Sequence, residues 1–481
     1  MRLGVTNRGG RWRKHGLAAF AVATGAALVL PSCHVFTSLE NCSADRDCAL
    51  GLRCNSERGY CELDRGPIKL GAMMPLSGQL TIGQPVVDAM RFAVDGINAE
   101  GGVAGRLIEL RAEDDQSSEQ VALSLARRFV DDRVAVVIGP LRSAQVLAAA
   151  PVSFAAGLLQ ITPYAGASSL AASQPERDRY LFQTITSIRR GSAQTIAMWA
   201  GEGSATVCKN MVVVHSSDTT GQDYADAVSD LLPTHGKGCV RQRVSIPAAP
   251  KEEYAAEIEA ILTGQPRPSC GVLVSLPTTA ARFLDEFRRT TAKKAEWASF
   301  VWVGTSSLRT PAFLAESKLY ATNPAEGVFG ADVDYEPATP EFKKFREVYN
   351  RFRQMDVDAP VPVAVPNAFD AVMLAALAIE RAGGTASRAR IRDGLFEIAN
   401  DDAGKTTYGP TEFRLMRDAV RRGERVNYQG ASSRIQFDTR GVVTNGTLIW
   451  KVDKGEFVTQ TRYDEATMAK AAEVPLTGVC D

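Results

Sequence analysis

Short apolar runs alternate with helical patterns between residues 68 and 168 of this 481-residue chain. Residues 134–138 form an unbroken apolar run, which is typical of a strand buried on both faces. One predicted helix carries a single apolar stripe, made of Val87, Met90, Val94 and Ile97. The pattern predicts strand, loop and helix three times and then a fourth strand. Because strands alternate with helices, we expect a parallel sheet with helices on both faces.

Ligands bind to such sheets beyond the carboxyl ends of the strands. The ligand-facing loops of this sheet are therefore predicted at residues 75–84, 139–143 and 162–168.

A second series of strands and helices begins after Thr186. Its strands are predicted at residues 211–214, 240–246, 271–275, 300–303 and 327–331. Later helices are expected at 342–352 and 369–382, and later strands at 434–438 and 447–452. The fold class predicted is α/β, with two doubly wound parallel-sheet lobes and a hinged cleft between them.

These patterns divide the chain into four parts. Residues 1–32 are expected to be a lipoprotein signal peptide, and residues 33–66 a Cys-rich tether module. The first lobe is assigned to 67–187 with 333–431, and the second lobe to 188–332 with 432–481.

The N-terminus has the pattern of an export signal. Five basic residues and no acidic one occur in the first 32 positions, and residues 17–30 are mostly apolar. This run is shorter than the ~20 residues that a membrane span needs. Residues 30–33, Leu-Pro-Ser-Cys, resemble a bacterial lipobox, in which Cys33 would be acylated. The alternative is an ordinary signal peptide with an incidental cysteine.

Composition restricts the partners. Without the first 32 residues, 50 basic and 55 acidic residues remain, so nucleic-acid binding is disfavoured. With Cys33 set aside, the remaining cysteines are even in number, which indicates disulfides in an exported chain. They are Cys42, Cys48, Cys54, Cys61, Cys208, Cys239, Cys270 and Cys480. Zinc is the alternative for the first four, but no C-x2-C pair supports it.

Motifs for catalysis are absent from the sequence. It contains neither a G-x4-G-K-[ST] phosphate loop nor a G-x-S-x-G nucleophile elbow. His215 follows a predicted strand and is interpreted as a polar strand-end residue, and Asp114 and Asp115 as an ordinary strand end and helix start. We therefore expect a protein without enzymatic activity, cofactor or metal.

Small hydroxyl residues recur at the carboxyl ends of the strands in both lobes. Such side chains, with exposed loop amides, can hold a small polar ligand without performing chemistry on it. They are Ser77, Ser143, Thr162, Ser168, Thr219, Thr220, Thr278, Thr279, Thr305, Ser306 and Ser307.

Several motifs together resemble the type I periplasmic binding proteins, in particular the leucine/isoleucine/valine-binding receptors of ABC importers. They are Pro75-Leu-Ser-Gly78, Ile97-Asn-Ala-Glu-Gly-Gly-Val-Ala-Gly-Arg106, Val137-Ile-Gly-Pro-Leu-Arg-Ser143, Ile161-Thr-Pro163 and Phe369-Asp-Ala371. The resemblance implies two hinged lobes and a ligand held between them.

The resemblance also implies a set of ligand-binding residues. Ser143 and the loop 162–166 would hold the ligand's carboxylate and ammonium, with Ala165 matching the family and Gly166 standing where a threonine is usual. Thr220 replaces a tyrosine, and Ser306 replaces the acid that pairs with the ammonium. The full set expected is Ser77, Ile82, Arg142, Ser143, Thr162, Ala165, Gly166, Thr220, Thr305 and Ser306. A buried ammonium without a carboxylate is costly, so the loss of that acid argues against an α-amino acid ligand.

The function expected is that of a lipid-anchored solute-binding protein in the cell envelope, facing the periplasm or the outside. It would capture a small polar or amphipathic molecule, amino-acid-like or another carboxylate, and present it to an ABC permease or a membrane sensor. The alternative is a non-transport envelope lipoprotein that uses the same lobes to dock a protein.

Overall fold

The computed structural model describes residues 41–77, 82–202, 208–335, 339–401 and 403–480. The predicted signal peptide and Cys33 lie outside the described residues. Within these ranges, every helix is too short or too polar to cross a membrane.

The described chain begins with a small disulfide-bonded module, residues 41–66. Strands β1 (Leu52–Asn55) and β2 (Tyr60–Leu63) form an antiparallel hairpin. Disulfides join Cys42 to Cys54 and Cys48 to Cys61. The prediction of disulfides is confirmed, and because all four thiols are oxidised they offer no thiolate to a metal.

The module is held against the first lobe by two arginines. The Arg133 guanidinium donates to the carbonyl oxygens of Cys48, Ala49 and Leu52, the last at 2.8 Å. Arg106 donates to the Asp64 carboxylate at 2.8 Å. The module is therefore a docked element of the fold.

A five-stranded parallel sheet in the order β4-β3-β5-β6-β7 forms the centre of the first lobe. Its strands are β3 (Ile68–Met74), β4 (Ile108–Asp114), β5 (Val136–Ile138), β6 (Leu159–Thr162) and β7 (Leu181–Gln183). Its crossover helices are α1 (Gly83–Ala99), α2 (Glu119–Asp131), α3 (Ser143–Ala155) and α4 (Ser168–Ala172). The predicted alternation of strands and helices is confirmed.

Local sequence explains how these helices lie on the sheet. Every residue of the predicted α1 stripe is buried in the first-lobe core. Helix α2 begins where the Ser118 hydroxyl accepts a hydrogen bond from the Val121 amide. It buries Phe129 against Gly71, where an added Cβ would lie 2.8 Å from the ring. The glycine therefore sets the distance between helix and strand.

The second lobe contains a seven-stranded sheet in the order β16-β15-β12-β11-β10-β8-β9. The first five strands in the chain run parallel: β8 (Asn210–Ser216), β9 (Cys239–Ile246), β10 (Cys270–Val274), β11 (Val301–Gly304) and β12 (Phe329–Val333). Their helices are α5 (Gln194–Gly201), α6 (Thr219–Leu231), α7 (Ala255–Thr263), α8 (Pro277–Thr291) and α9 (Pro311–Ser317). Disulfides Cys208–Cys270 and Cys239–Cys480 lie at the amino ends of these strands.

After β12 the chain returns to the first lobe and then crosses back. The returning elements are α10 (Pro340–Phe352), α11 (Val365–Ala382), α12 (Arg388–Ala399), β13 (Thr406–Tyr408), α13 (Phe413–Arg421) and β14 (Val426–Tyr428). The chain ends in the second lobe with β15 (Thr447–Asp453), β16 (Glu456–Tyr463) and α14 (Glu465–Ala472). β15 and β16 add two antiparallel strands to the edge of the parallel sheet.

The strand predicted at residues 434–438 is wrong. This segment contains no strand, although Arg434 forms an isolated bridge with Gln429. Its alternating pattern arises because Ile435 and Phe437 insert into the first-lobe core. The chain therefore packs on the first lobe further than residue 431, the boundary that we drew from the sequence.

Asp370, which is fully buried on α11, connects that helix to the segment after β14. Its carboxylate accepts hydrogen bonds from the Tyr428 hydroxyl at 2.7 Å and from the Ala431 amide at 2.8 Å. The Ser432 amide and hydroxyl donate at 2.8 and 2.6 Å. Burial raises the pKa of Asp370, while these four donors oppose that rise.

We predict that Asp370→Asn lowers the free energy of unfolding by about 2–4 kcal/mol, because in either orientation the new NH2 would face a backbone amide that can only donate. Urea denaturation measures the change. The control is Asp95→Asn on the exposed side of α1, which should change stability by less than ~0.5 kcal/mol. Equal stability of the two variants would contradict the role given to Asp370.

Candidate ligand-binding cleft

A cavity lies between the lobes, where loops from the carboxyl ends of both sheets meet. Its volume, including the part open to solvent, is about 860 Å³. The part of the chain before α5 contributes Leu141, Arg142, Ser143, Tyr164, Ala165, Gly166, Ile185, Thr186, Ile188 and Ser192. The second sheet and α6 contribute Ser216, Asp218, Thr220, Tyr224, Ala248, Val274, Ser275, Leu276, Thr305, Ser306, Ser307 and Val333.

Seven of the ten residues expected at the site line this cavity. They are Arg142, Ser143, Ala165, Gly166, Thr220, Thr305 and Ser306. The structure thus brings together side chains that the sequence separates by up to 164 positions.

Ser77, Ile82 and Thr162 are not among the lining residues. The Ser77 hydroxyl is exposed and donates to Asp114 at 2.5 Å, which closes the end of β3 against β4. Ile82 is buried in the first-lobe core. The Thr162 hydroxyl donates to the Pro140 carbonyl at 2.7 Å and accepts from the Ala165 amide at 3.2 Å. Thr162 therefore holds the neighbouring loops together, and Ala165 lines the cavity.

Ser143 is the first residue of α3 and is 2% exposed. Its Oγ accepts a hydrogen bond from the Ala167 amide at 3.2 Å, which ties the loop after β6 to the start of α3. A hydroxyl that accepts in this way still has a hydrogen to donate. The amino end of α3 also carries backbone amides without helical partners, and the helix dipole favours an anion there.

Gly166 stands where the family resemblance implies a threonine. It lies close to the segment that leaves the first lobe. An added Cβ would be 3.2 Å from the Thr186 carbonyl oxygen. The Ile188 amide donates to the Gly166 carbonyl at 2.6 Å. The absence of a side chain allows this close approach.

Arg142 and Asp218 form an ion pair across the cleft, at 2.6 Å. Arg142 precedes α3 in the first lobe, and Asp218 is the N-cap of α6 in the second. The Asp218 carboxylate also accepts from the Gly221 amide at 2.9 Å and the Ser216 hydroxyl at 2.8 Å. The charge of Asp218 is therefore already satisfied by protein groups.

A second contact between the lobes involves α4 and α6. The Ser168 amide donates to the Asp223 carboxylate at 3.0 Å, and its hydroxyl donates to the same oxygen at 3.3 Å. Burial in this contact raises the pKa of Asp223. The lobes are closed on each other in this structure.

Four hydroxyls form a cluster in the cavity wall, which we call the hydroxyl cluster: Tyr164, Ser192, Tyr224 and Ser306. The Tyr224 and Ser192 hydroxyls lie 2.8 Å apart. Tyr164 and Ser306 line the same cavity as this pair, so hydroxyls from both lobes face one space. Sequence reasoning missed the tyrosines, although Tyr164 lies in a predicted ligand-facing loop and Tyr224 follows Thr220 by one helical turn.

Burial and the neighbouring Asp332 keep the hydroxyl cluster uncharged. Burial raises the pKa of Tyr224 to about 12, and burial with the nearby Asp332 carboxylate raises the pKa of Tyr164 above its ordinary value. Asp332 ends β12 at 2% exposure and pairs with Arg309 at 3.5 Å. Burial raises the pKa of Asp332 to about 6, against the opposing charge of Arg309.

Thr186 lies in the segment that connects the lobes after β7, and it is 4% exposed. Its amide donates to the Asn445 side-chain oxygen at 2.6 Å, which joins two crossings between the lobes. Its hydroxyl has no hydrogen-bond partner among the described residues. Sequence reasoning gave no signal for this residue.

His215 is buried at the end of β8, and its Nδ1 lies 2.9 Å from the Ser216 carbonyl oxygen. It is not among the cavity-lining residues. Asp114 and Asp115 accept hydrogen bonds from nearby backbone amides in their own turns. These residues have the structural roles expected from the sequence.

Comparison with known families identifies the fold. The model of the periplasmic binding protein family matches residues 67–421, and the chain belongs to this family. Membership agrees with the prediction that the chain is not an enzyme.

An amino acid binding protein from Pseudomonas aeruginosa is 28% identical over 236 residues, which are 47% of this chain and 61% of that protein. The match thus spans less than two thirds of the relative.

Two solved structures share the fold over most of this chain. A leucine-binding protein from Thermotoga maritima has a TM-score of 0.66 and 18% identity, covering 83% of this chain and 99% of that chain. A solute-binding protein of an ABC transporter from Rhodopseudomonas palustris, solved with 3,4-dihydroxybenzoic acid, has a TM-score of 0.60 and 20% identity, covering 83% and 98%. The predicted resemblance to branched-chain amino acid receptors is confirmed at the level of the fold.

We predict that Arg142→Gln shifts the solute-free protein toward an open form, because it removes the ion pair across the cleft. Such a partly exposed pair contributes about 1 kcal/mol, equivalent to a roughly fivefold change in the ratio of closed to open forms. Small-angle scattering should show a larger radius of gyration. The control is Arg189→Gln, which removes an ion pair with Asp230 on α6 at 2.8 Å, away from the Arg142 contact. Equal radii for the two variants would show that Arg142 does not hold the lobes.

Proposed function

We propose that this protein is an extracytoplasmic solute-binding protein that closes its two lobes around a small organic carboxylate. The observation that carries the proposal is the cavity between the lobes, lined from both sheets and bridged by Arg142 and Asp218. Closure around a solute needs groups on both lobes that face one space, and the loops after β5, β6, β8 and β11 supply them.

The amino end of α3 supports an anionic group on the ligand. The Ser143 hydroxyl has a hydrogen to donate, and Arg142 and Ser143 at the start of the helix line the cavity. A ligand carboxylate satisfies these donors and interacts favourably with the helix dipole.

An α-ammonium has no comparable partner among the residues that the structure describes around the cavity. Asp218 is the one acidic residue among the described residues that line the cavity, and it is bound to Arg142. Because an unpaired buried ammonium is costly, a carboxylate without an ammonium fits better than an α-amino acid. The relatives include an amino acid binding protein and one solved with dihydroxybenzoic acid, so the family accommodates both classes.

The N-terminal sequence supports attachment to a membrane by a lipid on Cys33, with an ABC permease or a membrane sensor as the partner of the closed form. The docked Cys-rich module then connects the lipid to the first lobe.

Native mass spectrometry of protein purified without refolding tests the proposal, because a buried cavity should retain its solute. We expect a small carboxylate that is released on denaturation and that, when added back, lowers the radius of gyration. No retained solute and no compaction, together with capture of an envelope protein, would favour the alternative of a lipoprotein that docks a protein.

We predict that Ser143→Ala binds the retained carboxylate about tenfold to a hundredfold more weakly, since one hydrogen bond to a charged acceptor contributes ~1.5–3 kcal/mol. Calorimetry measures the loss. The control is Ser229→Ala, whose hydroxyl bonds to the Ala225 carbonyl within α6 and does not line the cavity. Unchanged affinity of Ser143→Ala would place the carboxylate elsewhere.

We predict that Cys33→Ser moves the protein from the detergent phase to the soluble extracytoplasmic fraction, because serine cannot receive the thioether-linked lipid. Phase partitioning with detergent measures the shift. Ser32→Ala should leave the partitioning unchanged, since a small residue still precedes the cysteine. Retention of Cys33→Ser in the detergent phase would contradict lipid attachment at this residue.

A further inference from the structure

The charged groups of the cavity wall neutralise each other. Among the described residues that line it, Arg142 and Asp218 are the charged pair, and they bond at 2.6 Å. The other ionisable side chains in the wall are Tyr164 and Tyr224, which burial keeps protonated. A ligand that enters this space finds no free carboxylate for a cation.

The polar groups that remain are mainly hydroxyls. One of them has no hydrogen-bond partner among the described residues. Thr186 is 4% exposed, lines the cavity and has no partner for its Oγ1 among the described residues. A buried hydroxyl without a partner is unfavourable, so this atom is a recognition point for a polar ligand group.

The hydroxyl cluster offers a second recognition point. Each hydroxyl has one hydrogen to donate and two lone pairs, and the contacts among Ser192, Tyr224, Tyr164 and Ser306 do not use all of them. Neutral hydroxyls both donate and accept, which matches another neutral hydroxyl better than a group that only donates or only accepts.

Asp332 is a buried acid whose charge acts on Tyr164 and Tyr224. It is 2% exposed, pairs with Arg309 at 3.5 Å and is not among the cavity-lining residues. Because it is buried, already paired and not part of the cavity wall, it does not offer direct contact to an ammonium.

We propose that the cavity selects a carboxylate whose remaining polar groups are uncharged hydroxyls, and that Thr186, Tyr164 and Tyr224 determine this specificity. The inference rests on the proposed function, since it names the class of solute for the same cleft.

Matched probes test the proposal by calorimetry. The first series is leucine, 2-hydroxy-4-methylpentanoate and 4-methylpentanoate, which differ only in the ammonium, hydroxyl or hydrogen on the second carbon. The second series is 4-hydroxybenzoate and benzoate. In at least one series the hydroxylated probe should bind about threefold to tenfold more tightly than the probe without the hydroxyl. In the first series leucine should bind most weakly.

Conservative variants identify the residues that bind the hydroxyl group of the probe. Thr186→Val, Tyr164→Phe and Tyr224→Phe each remove one hydroxyl with little change of shape. In at least one of these variants, the hydroxylated probe and its counterpart without the hydroxyl should bind with about equal affinity. The affinity for the counterpart should stay within about twofold of that of the parent protein. The control is Tyr349→Phe, whose hydroxyl donates to the Pro85 carbonyl at 3.3 Å in the first lobe, outside the cavity. This variant should keep the preference.

The outcomes separate this inference from the proposed function. Tightest binding of leucine, or a preference that survives in all three cavity variants, would overturn the inference and leave solute binding intact. If none of the probes binds, the retained solute decides: a carboxylate with a hydroxyl and no ammonium supports the inference, and any other solute overturns it. Absence of both a retained solute and probe binding would overturn the proposed function, and the inference with it.

Discussion

The ion pair between Arg142 and Asp218 joins the two lobes at the cavity, and each of these residues directly precedes a helix. Arg142 directly precedes α3, and Asp218 caps α6 through the Gly221 amide. The ion pair thus brings the amino ends of two helices from different lobes to one space. Since the two charges satisfy each other, the wall around them is left to hydroxyls and apolar side chains.

The sequence predicted those parts of the fold that a local pattern defines. The apolar stripe of α1 has the period of a helix, whereas the run at residues 134–138 is too short for a typical helix and contains strand β5. Residues 434–438 alternate like a strand, yet Ile435 and Phe437 insert into a core built by distant helices. An even number of cysteines predicted disulfides, but not the pairing of Cys239 with Cys480, 241 positions apart.

The candidate site was predictable to the extent that topology defines it. Loops at the carboxyl ends of parallel strands meet at one edge, which placed Ser143, Thr220 and Ser306 without knowledge of any contact. Tyr164 and Tyr224 were missed because a tyrosine in an apolar setting has the pattern of a core residue. The role of Thr186 depends on the absence of a hydrogen-bond partner for its hydroxyl among the described residues. The sequence alone does not reveal such an absence.

Ser306 stands where the family resemblance implies an acid. Asp332, on the adjacent strand, is buried and pairs with Arg309 at 3.5 Å, and burial raises its pKa to about 6. Because Asp332 does not line the cavity and already has a partner, it does not replace the missing acid as a direct partner for an ammonium.

The docking of the Cys-rich module has a mechanical consequence. Arg133 and Arg106 bind the module to the first lobe alone, so the two move as one body. With a lipid on Cys33, residues 34–40 could span at most ~25 Å, which keeps that body near the bilayer. The first lobe would then be the stationary half, and closure would swing the second lobe over the membrane surface. A partner in that membrane would detect the solute as a change of tilt in one lobe.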